Sequence, residues 1–335
     1  MRILLTGSSG FLGKELYKKL TLAGHTVLGL SRHGPDIYGD ITDLNCGIES
    51  EIGPIDCLIH SAALLSFAKS QRKEIFRVNV DGTANLCKIA LYYNIGRVIY
   101  ISTAYVCGNY RGKWDENDLN RGQKFKNPYE ESKYEGEQLI HTLPSNFSKT
   151  VFRPSIIVGN SHNGESTSFD GFYRPVRAIA RIMKLVEKDL KLPPRERSEE
   201  ILHLPRLHVP LTIMGDPDST LNLVPIDWVA DKIVENLDKV GTFHLTNPSP
   251  PTNREVVETI NQVLGITGPH FEKEGDYRNR GPQDTIYQRM IRDFSPYLQY
   301  EPKFNSSVNS ELLLTKANIE FIIKIIRYWR GTGVK

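Results

Sequence analysis

The first half of the chain alternates short apolar runs with longer stretches of helical periodicity. Leu12, Leu16 and Leu20 recur at i, i+4 and i+8, which predicts one apolar stripe of a helix packed on a sheet. The apolar runs are bounded by turn residues, as is typical of parallel strands buried on both faces. They predict strands over residues 2–6, 26–31, 56–60, 98–102 and 150–153. This alternation favours βαβ units, and we predict an α/β fold with a doubly wound, Rossmann-type parallel sheet.

The pattern changes beyond Val158. Residues 159–221 are rich in glycine, proline and charge, and they hold a predicted basic helix at 172–191. Apolar runs at 223–237 and 242–245 then indicate a return to the main sheet. We therefore predict a smaller, discontinuous C-terminal substrate lobe. The predicted boundaries are 1–158 with 223–247 for the domain that holds the sheet, and 159–222 with 248–335 for the substrate lobe.

Size and composition are those of an ordinary globular protein. With 335 residues the chain exceeds one α/β unit, so a core with an appended lobe is expected. The net charge of +3 gives no signature of nucleic-acid binding, and no apolar run is long enough to span a bilayer. Met1 runs directly into the first strand, so we expect no signal peptide. The four cysteines are scattered and lack CxxC spacing, as is typical of reduced thiols. We expect a cytoplasmic protein with no metal site.

A glycine-rich segment, TGSSGFLG at residues 6–13, joins the first predicted strand to the first helix. Glycine permits a tight turn and lets a diphosphate approach the backbone. The helix N-terminus adds unpaired N–H groups and a partial positive charge. The spacing is GxxGxxG rather than GxGxxG, and a plain strand-to-helix turn is the alternative. Because the motif follows the first strand and opens an amphipathic helix, we predict that it binds a dinucleotide pyrophosphate.

The end of the second strand selects the dinucleotide. An acidic residue there would bind the ribose 2′-hydroxyl of NAD. This chain instead has Ser31, Arg32 and His33, with no carboxylate before Asp36. A guanidinium can hold a 2′-phosphate through two hydrogen bonds. We therefore predict NADP(H) in preference to NAD(H), the alternative being a solvated Arg32.

Tyr129 and Lys133 are four residues apart, so on a helix they share one face. A phenol has a pKa of about 10, and a nearby ammonium should lower that pKa and make the phenol a better acid–base group. Ser102 and Thr103 end a predicted strand, where ligands of open α/β sheets bind and a hydroxyl can donate to a substrate carbonyl oxygen. Either hydroxyl could instead cap the turn. With the glycine segment, these residues predict proton transfer beside a nicotinamide.

Six motifs resemble those of the extended short-chain dehydrogenase/reductase family, in the family's order along the chain. Together they cover roughly the first half of the chain. TGSSGFLG resembles the family's TGxxGFxG, and YEESK at 129–133 resembles its YxxxK. GDITD at 39–43 is similar to the segment that lines the adenine, and HSAA at 60–63 to the HxAA segment under the cofactor. NVDGT at 79–83 resembles the NVxGT helix, and RPSIIVG at 153–159 resembles the RPxxxxG strand end beside the nicotinamide.

The resemblance implies a catalytic hydroxyl, an acid and its partner at Thr103, Tyr129 and Lys133. It also implies a set of cofactor-binding residues: Gly7, Ser9, Gly10, Phe11, Leu12, Arg32, Asp40, Ile41, Ser61, Ala62, Ala63, Tyr129, Lys133, Pro154, Ser155 and Ile156. Within the family, STAYV at 102–106, LVPIDWVAD at 223–231 and HLTNP at 244–248 are similar to the thioester-reductase and fatty-acyl-CoA-reductase branch.

We therefore expect an NADPH-dependent oxidoreductase that transfers hydride to a carbonyl or thioester carbonyl of an acyl, aldehyde or ketone substrate. The substrate is expected to be a small molecule or carrier-bound acyl group, and the protein a monomer or homodimer. One alternative is a sugar-nucleotide epimerase or reductase, for which Arg177, Arg181 and Arg206 could bind a diphosphate in the second lobe. The others are a hydroxysteroid-type dehydrogenase and a non-catalytic NADP-sensing binder.

Overall fold

The computed structural model describes residues 1–34, 36–48, 51–192, 206–272, 281–308 and 315–333, with side chains from 318 in the last range. The chain divides into two compact units. The first consists of Met1–Ile157, Val224–Pro248 and Pro302–Leu312, and the second of Val158–Leu223, Ser249–Glu301 and Leu313–Lys335.

The secondary structure is as follows, in chain order. The strands are β1 (Arg2–Thr6), β2 (Thr26–Ser31), β3 (Ile37–Tyr38), β4 (Cys57–His60), β5 (Arg97–Ile101), β6 (Lys113–Trp114), β7 (Ser148–Pro154), β8 (Ile156–Val158), β9 (Leu207–His208), β10 (Thr212–Met214), β11 (Leu223–Pro225), β12 (Gly241–Leu245), β13 (Ile266–Thr267), β14 (His270–Glu272) and β15 (Lys303–Phe304). The helices are α1 (Phe11–Leu22), α2 (Arg72–Phe76), α3 (Gly82–Tyr92), α4 (Pro128–His141), α5 (Tyr173–Asp189), α6 (Ile226–Glu235), α7 (Asn253–Leu264), α8 (Pro282–Ile291) and α9 (Thr315–Gly331).

A parallel sheet forms the centre of the first unit. Among the described residues it has seven strands in the order β12-β7-β5-β4-β1-β2-β3. The order runs outward from β1 in both directions, so the sheet is doubly wound and its switch point lies at the carboxyl end of β1. Thr6 at that end pairs in register with Leu30 of β2 and His60 of β4. The predicted fold class is confirmed.

Helices cover the sheet because the strands are apolar on both faces. Leu86 and Ile89 of α3 and Ile140 of α4 share a buried core with the sheet residues Leu58 and Val98. Complete exclusion of such side chains from water supplies most of the stabilising free energy, at roughly 25 cal/mol per Å² of apolar area. Residues 75–93 keep a helical period that predicts one helix, but the structure interrupts it: a π-helical turn at Arg77–Asp81 lies between α2 and α3.

The segment around β15 belongs to the first unit, although the sequence pattern assigned it to the substrate lobe. β15 pairs in parallel with β6. The Lys303 N–H donates to the Gly112 carbonyl at 3.0 Å, and the Ser307 N–H donates to Oε1 of Glu116 at 3.0 Å. A strand of two residues has no hydrophobic period, so this pairing could not be predicted from the pattern of apolar residues.

The second unit is built mainly from helices. α5 packs against α8, α7 packs against α9, and β10 and β9 pair in parallel with β14 and β13. The interface of α5 includes Val176, Ile179 and Ile182, all fully buried. The basic helix predicted at 172–191 is confirmed. No helix in the described part of the chain combines the length and apolar character needed to cross a bilayer.

Candidate active site

The turn between β1 and α1 leaves no room for side chains at two of its glycines. Gly7 has a φ of +72°, and a Cβ added there would lie 2.7 Å from the backbone of Ala62. A Cβ on Gly13 would lie 1.9 Å from the Gly7 carbonyl oxygen. The atoms in the way belong to the backbone, so they cannot move aside cheaply. The turn therefore requires glycine for its own packing as well as for any ligand.

The start of α1 suits an anion. Its N-cap is Gly10, no side chain caps it, and its first turn holds no acidic residue. The first amide groups of a helix lack intrahelical partners and attract negative charge. The hydroxyls of Ser8 and Ser155 are buried and have no hydrogen-bond partner among the described residues. Buried polar groups normally have partners, so these residues fit a bound dinucleotide. The sequence analysis named Ser9 and missed Ser8.

The predicted cofactor residues outside α4 lie at one edge of the sheet, because they occupy or follow the carboxyl ends of parallel strands. They are Gly7, Ser9, Gly10, Phe11 and Leu12 after β1, Arg32 after β2, Asp40 and Ile41 after β3, Ser61, Ala62 and Ala63 after β4, and Pro154, Ser155 and Ile156 at and beyond the end of β7.

Arg32 extends from the end of β2 with its side chain 70% exposed, and its Nε lies 4.0 Å from Oδ2 of Asp40. Burial raises the pKa of Asp40, but two hydrogen bonds from Thr42 and the charges of Arg32 and Arg77 outweigh it, so that the pKa lies below its usual value. Asp40 therefore stays ionised beside an exposed guanidinium.

Asp36 is the first carboxylate after the second strand. In the structure its Oδ2 accepts a hydrogen bond of 2.9 Å from the Gly29 N–H, within β2. A Cβ added to Gly29 would lie 3.2 Å from this oxygen and 2.7 Å from the Ser8 hydroxyl. A carboxylate therefore lies beside the glycine turn, and nothing in the local sequence pattern signals that the chain folds back this far.

His60 fixes the segment that follows β4. It is 1% exposed, with Nδ1 2.8 Å from the Thr6 hydroxyl and Nε2 3.0 Å from the Thr83 hydroxyl. Thr6 Oγ1 also accepts a hydrogen bond from the Ala62 N–H at 3.3 Å. One buried imidazole thereby joins β1, β4 and α3 and holds Ala62 against the glycine turn.

α4 carries the proposed acid and its partner. Asn127 caps the helix by accepting the Glu130 N–H at 3.0 Å. Tyr129 is half-buried, and Lys133, one turn later, is 2% exposed. Lys133 Nζ donates to the Ile101 carbonyl at 2.7 Å. The lysine is thus held at the carboxyl end of β5, two strands away from β1 in the sheet.

The pKa values of this pair differ from the sequence expectation. Burial raises the pKa of Tyr129, with the charge of Glu130 adding to the effect, whereas a lowered pKa was expected. Burial lowers the pKa of Lys133 to about 7, against an opposing effect of Glu137. The expectation was wrong because the ammonium is itself desolvated and donates to a carbonyl. Burial and the Lys133 charge also hold the pKa of His60 well below its usual value.

The two hydroxyls after β5 have different partners. Ser102 Oγ donates to Oε2 of Glu137 at 2.8 Å. Thr103 Oγ1 accepts the Tyr105 N–H at 3.3 Å and donates to the Pro154 carbonyl at 3.4 Å. Thr103 therefore caps the turn, which is the alternative named in the sequence analysis. Both bonds are long, so a better acceptor could replace the Pro154 carbonyl as the partner of the Thr103 hydroxyl. The Ser102 hydroxyl is already used in its hydrogen bond to the Glu137 carboxylate.

A buried ion pair behind Lys133 was missed by the sequence analysis. Glu137 is 0% exposed and Arg153 is 1% exposed, and they are joined by several hydrogen bonds, including one of 3.1 Å from Nε. Arg153 Nη1 also donates to the Asp118 carbonyl at 2.7 Å. Burial raises the pKa of Glu137, but Arg153, His141 and Ser102 outweigh it and keep the carboxylate ionised. The spacing of four residues from Lys133 was the available signal.

Comparison with known proteins adds to this geometry. The family model described as male sterility protein matches residues 35–194. The solved structure of the terminal R domain from the myxalamid PKS-NRPS biosynthetic pathway covers 99% of this chain and 91% of its own, with a TM-score of 0.75 and 18% identity. UDP-glucuronic acid 4-epimerase from Bacillus cereus, in complex with NAD, covers all of both chains at a TM-score of 0.67 and 19% identity. At these identities the structures show a shared fold.

This chain is similar to the extended short-chain dehydrogenase/reductase family, and the match of residues 35–194 covers just under half of the chain. A 2-alkyl-3-oxoalkanoate reductase from Stenotrophomonas maltophilia is 29% identical over 172 residues, which are 48% of this chain and 52% of that protein. A 3 beta-hydroxysteroid dehydrogenase/Delta 5-->4-isomerase from Mycobacterium tuberculosis is 29% identical over 196 residues, 52% of this chain and 51% of that protein. The match thus spans about half the length of these relatives. An uncharacterized Mycobacterium tuberculosis protein is 30% identical over 105 residues, 31% of this chain and 12% of its own length.

Proposed function

We propose that this protein is an NADPH-dependent reductase of a carbonyl or thioester carbonyl group. The observation that carries the proposal is the position of Lys133, fixed to the carboxyl end of β5 by its 2.7 Å bond to Ile101. Tyr129 is one helical turn before it, and the glycine turn of β1 lies on the same edge of the sheet. Ligands of open α/β sheets bind along this edge.

The cofactor would be held by the open amide groups of α1, by Ser8 and by Ser155. When bound, it supplies a hydride equivalent to the carbonyl carbon. Arg32 is the proposed contact for a 2′-phosphate, because it is largely exposed and makes only a 4.0 Å approach to Asp40.

In this proposal Tyr129 gives its proton to the carbonyl oxygen. A raised pKa keeps the phenol protonated at neutral pH, as a proton donor must be. Thr103 donates a hydrogen bond to the same oxygen by releasing the Pro154 carbonyl, and Lys133 stabilises the phenolate that forms. General acid catalysis of this kind contributes roughly 10²–10⁴ in rate.

A second candidate is reduction of a ketone on an alicyclic or alkyl skeleton. It is favoured by the two relatives whose names specify a 3-oxoalkanoate reductase and a 3 beta-hydroxysteroid dehydrogenase. The same Tyr129 and Lys133 would serve it, so the two candidates differ in the substrate and not in the acid.

The test is oxidation of NADPH, with NADH in parallel, against a long-chain acyl-CoA, the matching aldehyde, a 3-oxoalkanoate and a UDP-sugar. We expect turnover with the thioester or aldehyde. Turnover of the 3-oxoalkanoate alone would select the second candidate, and turnover of the UDP-sugar alone would replace both with sugar-nucleotide chemistry.

The acid is tested by Tyr129→Phe, which should lower kcat at least 100-fold while the Kd for NADPH changes less than threefold. Tyr134→Phe is the matched control on the same helix, where the hydroxyl accepts a bond from Gln138. Unchanged turnover in Tyr129→Phe would remove the tyrosine from the mechanism.

A further inference from the structure

The second unit holds a cavity of about 750 Å³ along one side of α5. Cationic side chains from two helices line it: Arg174, Arg177, Arg181 and Lys184 of α5, and Arg330 of α9. The four residues of α5 follow one another at intervals of three or four, so they share a face of the helix. A volume of this size lies within the range of roughly 300–1,000 Å³ for small-molecule sites.

The positive charge of this cavity is only partly compensated. Asp170 lies 3.8 Å from Arg177, and Asp293 lies 3.9 Å from Arg174. Within the described part of the chain, no carboxylate forms an ion pair with Arg181, Lys184 or Arg330. Like charges three or four residues apart destabilise a helix, so this arrangement has a cost in free energy that a bound anion would offset.

The rest of the lining is apolar. Met183, Leu264 and Met290 contribute thioether and aliphatic surface, together with Trp329, which is 6% exposed. A phosphate group alone would occupy a small part of this volume and would leave the apolar surface uncovered. The cavity therefore suits a ligand with both an anionic and an apolar part.

We propose that this cavity binds a soluble ligand in which two or more phosphate groups are attached to an apolar or planar body, as in a nucleoside bisphosphate. The guanidinium groups bind phosphate oxygens through paired hydrogen bonds, and Lys184 adds a mobile positive charge. The apolar body covers Met183, Leu264 and Met290. This binding site goes beyond the proposed function, and its existence does not depend on which carbonyl is reduced.

The probe is adenosine 3′,5′-bisphosphate, titrated calorimetrically into the full chain saturated with NADPH, so that the dinucleotide site is filled. We expect one site per chain, with an affinity that falls at least threefold between 50 and 200 mM salt. Adenosine without phosphates should bind at least tenfold more weakly. Equal binding of adenosine, or no binding of the bisphosphate at millimolar concentration, would overturn the proposal.

The variant Arg181→Gln/Lys184→Gln should weaken bisphosphate binding at least tenfold and leave the Kd for NADPH unchanged. The matched control is Arg289→Gln/Arg327→Gln, two exposed cations of the same unit that lie outside the cavity, with the same loss of charge. It should change binding less than twofold. An equal loss in both variants would mean a general effect of net charge and would contradict the site.

Two further measurements keep the result decisive. If the double variant fails to fold, the single variant Arg330→Gln on α9 replaces it, with an expected loss of at least threefold. Sedimentation with phosphatidylserine vesicles forms the other arm. Binding to vesicles without binding of the bisphosphate would assign the cations to a membrane surface and reject the soluble ligand.

Discussion

Tyr129 and Lys133 have pKa values displaced in opposite directions, and burial is the main cause of both shifts. Each shift favours the uncharged form of its group. A lysine whose pKa falls to about 7 in the folded protein binds fewer protons than the unfolded chain between pH 7 and its usual pKa of about 10.4. Burial of Lys133 therefore lowers the free energy of unfolding below pH 7, and this destabilisation disappears as the pH rises from 7 to about 10.4.

The substitution Lys133→Met should consequently stabilise the protein near pH 6–7, with a gain in the midpoint of thermal unfolding that shrinks toward pH 10. It should also abolish reduction, because a functional group is removed. Lys124→Met, at an exposed position, serves as the control and should show no such pH dependence. Thermal melts at pH 6, 8 and 10 check this, and a gain that is the same at every pH would contradict the burial argument.

Arg32 sets the choice between dinucleotides in our proposal. Arg32→Ala should lower the preference for NADPH over NADH at least tenfold, because the contact to the 2′-phosphate is lost. Lys18→Ala removes an exposed cation from α1 and should leave the preference unchanged. Fluorescence titration with both dinucleotides measures the ratio. If Arg32→Ala leaves the ratio as it was, Asp36 becomes the residue to test.

At the level of elements, the junction of β1 with α1 is the most tightly constrained. Gly13→Ala places a methyl group 1.9 Å from the Gly7 carbonyl oxygen, so the turn must open. We expect a loss of about 1–3 kcal/mol in the free energy of unfolding, as for overpacked cores, together with weaker NADPH binding. Gly96→Ala is the control, since its added Cβ meets nothing within 4 Å. Urea denaturation of both variants would settle the comparison, and equal stability would refute the steric account.

Elements with a clear period could be predicted from the sequence, and those defined by long-range contacts could not. The apolar runs identified six of the seven strands described in the main sheet, all but β3, and Leu12, Leu16 and Leu20 identified α1. The π-helical turn at Arg77–Asp81 was missed because its neighbours keep a helical period. Its residue Asn79 donates to the Ser132 hydroxyl at 2.9 Å, a contact between residues 53 positions apart. The contact of Asp36 with Gly29 and the Glu137–Arg153 ion pair were missed for the same reason, because in each case the partners come from separate parts of the chain.

At the scale of the whole molecule, the first unit is assembled from three separate stretches of chain. β12 comes from the second of them and forms the sheet edge beside β7. A fragment of residues 1–157 would therefore expose β7, a strand of seven residues that includes Val151 and Phe152, as an unpaired edge, which promotes aggregation.

We expect this fragment to be insoluble or to elute as large aggregates in size-exclusion chromatography, whereas the full chain elutes as one species. A monomeric, NADPH-binding fragment 1–157 would show that β12 is dispensable.

The fit of Gly7 against Ala62 also bears on how genomes are interpreted. Because a methyl group at Gly7 would collide with the backbone of Ala62, the glycine is under selection for folding even in a descendant that no longer binds a dinucleotide. A glycine signature found in an unfamiliar gene is therefore a marker of this architecture and a poor marker of redox activity. The buried hydroxyls of Ser8 and Ser155 have no partner within the described protein, so folding does not require them. Their replacement by alanine in a relative would be the earlier sign that the cofactor had been lost.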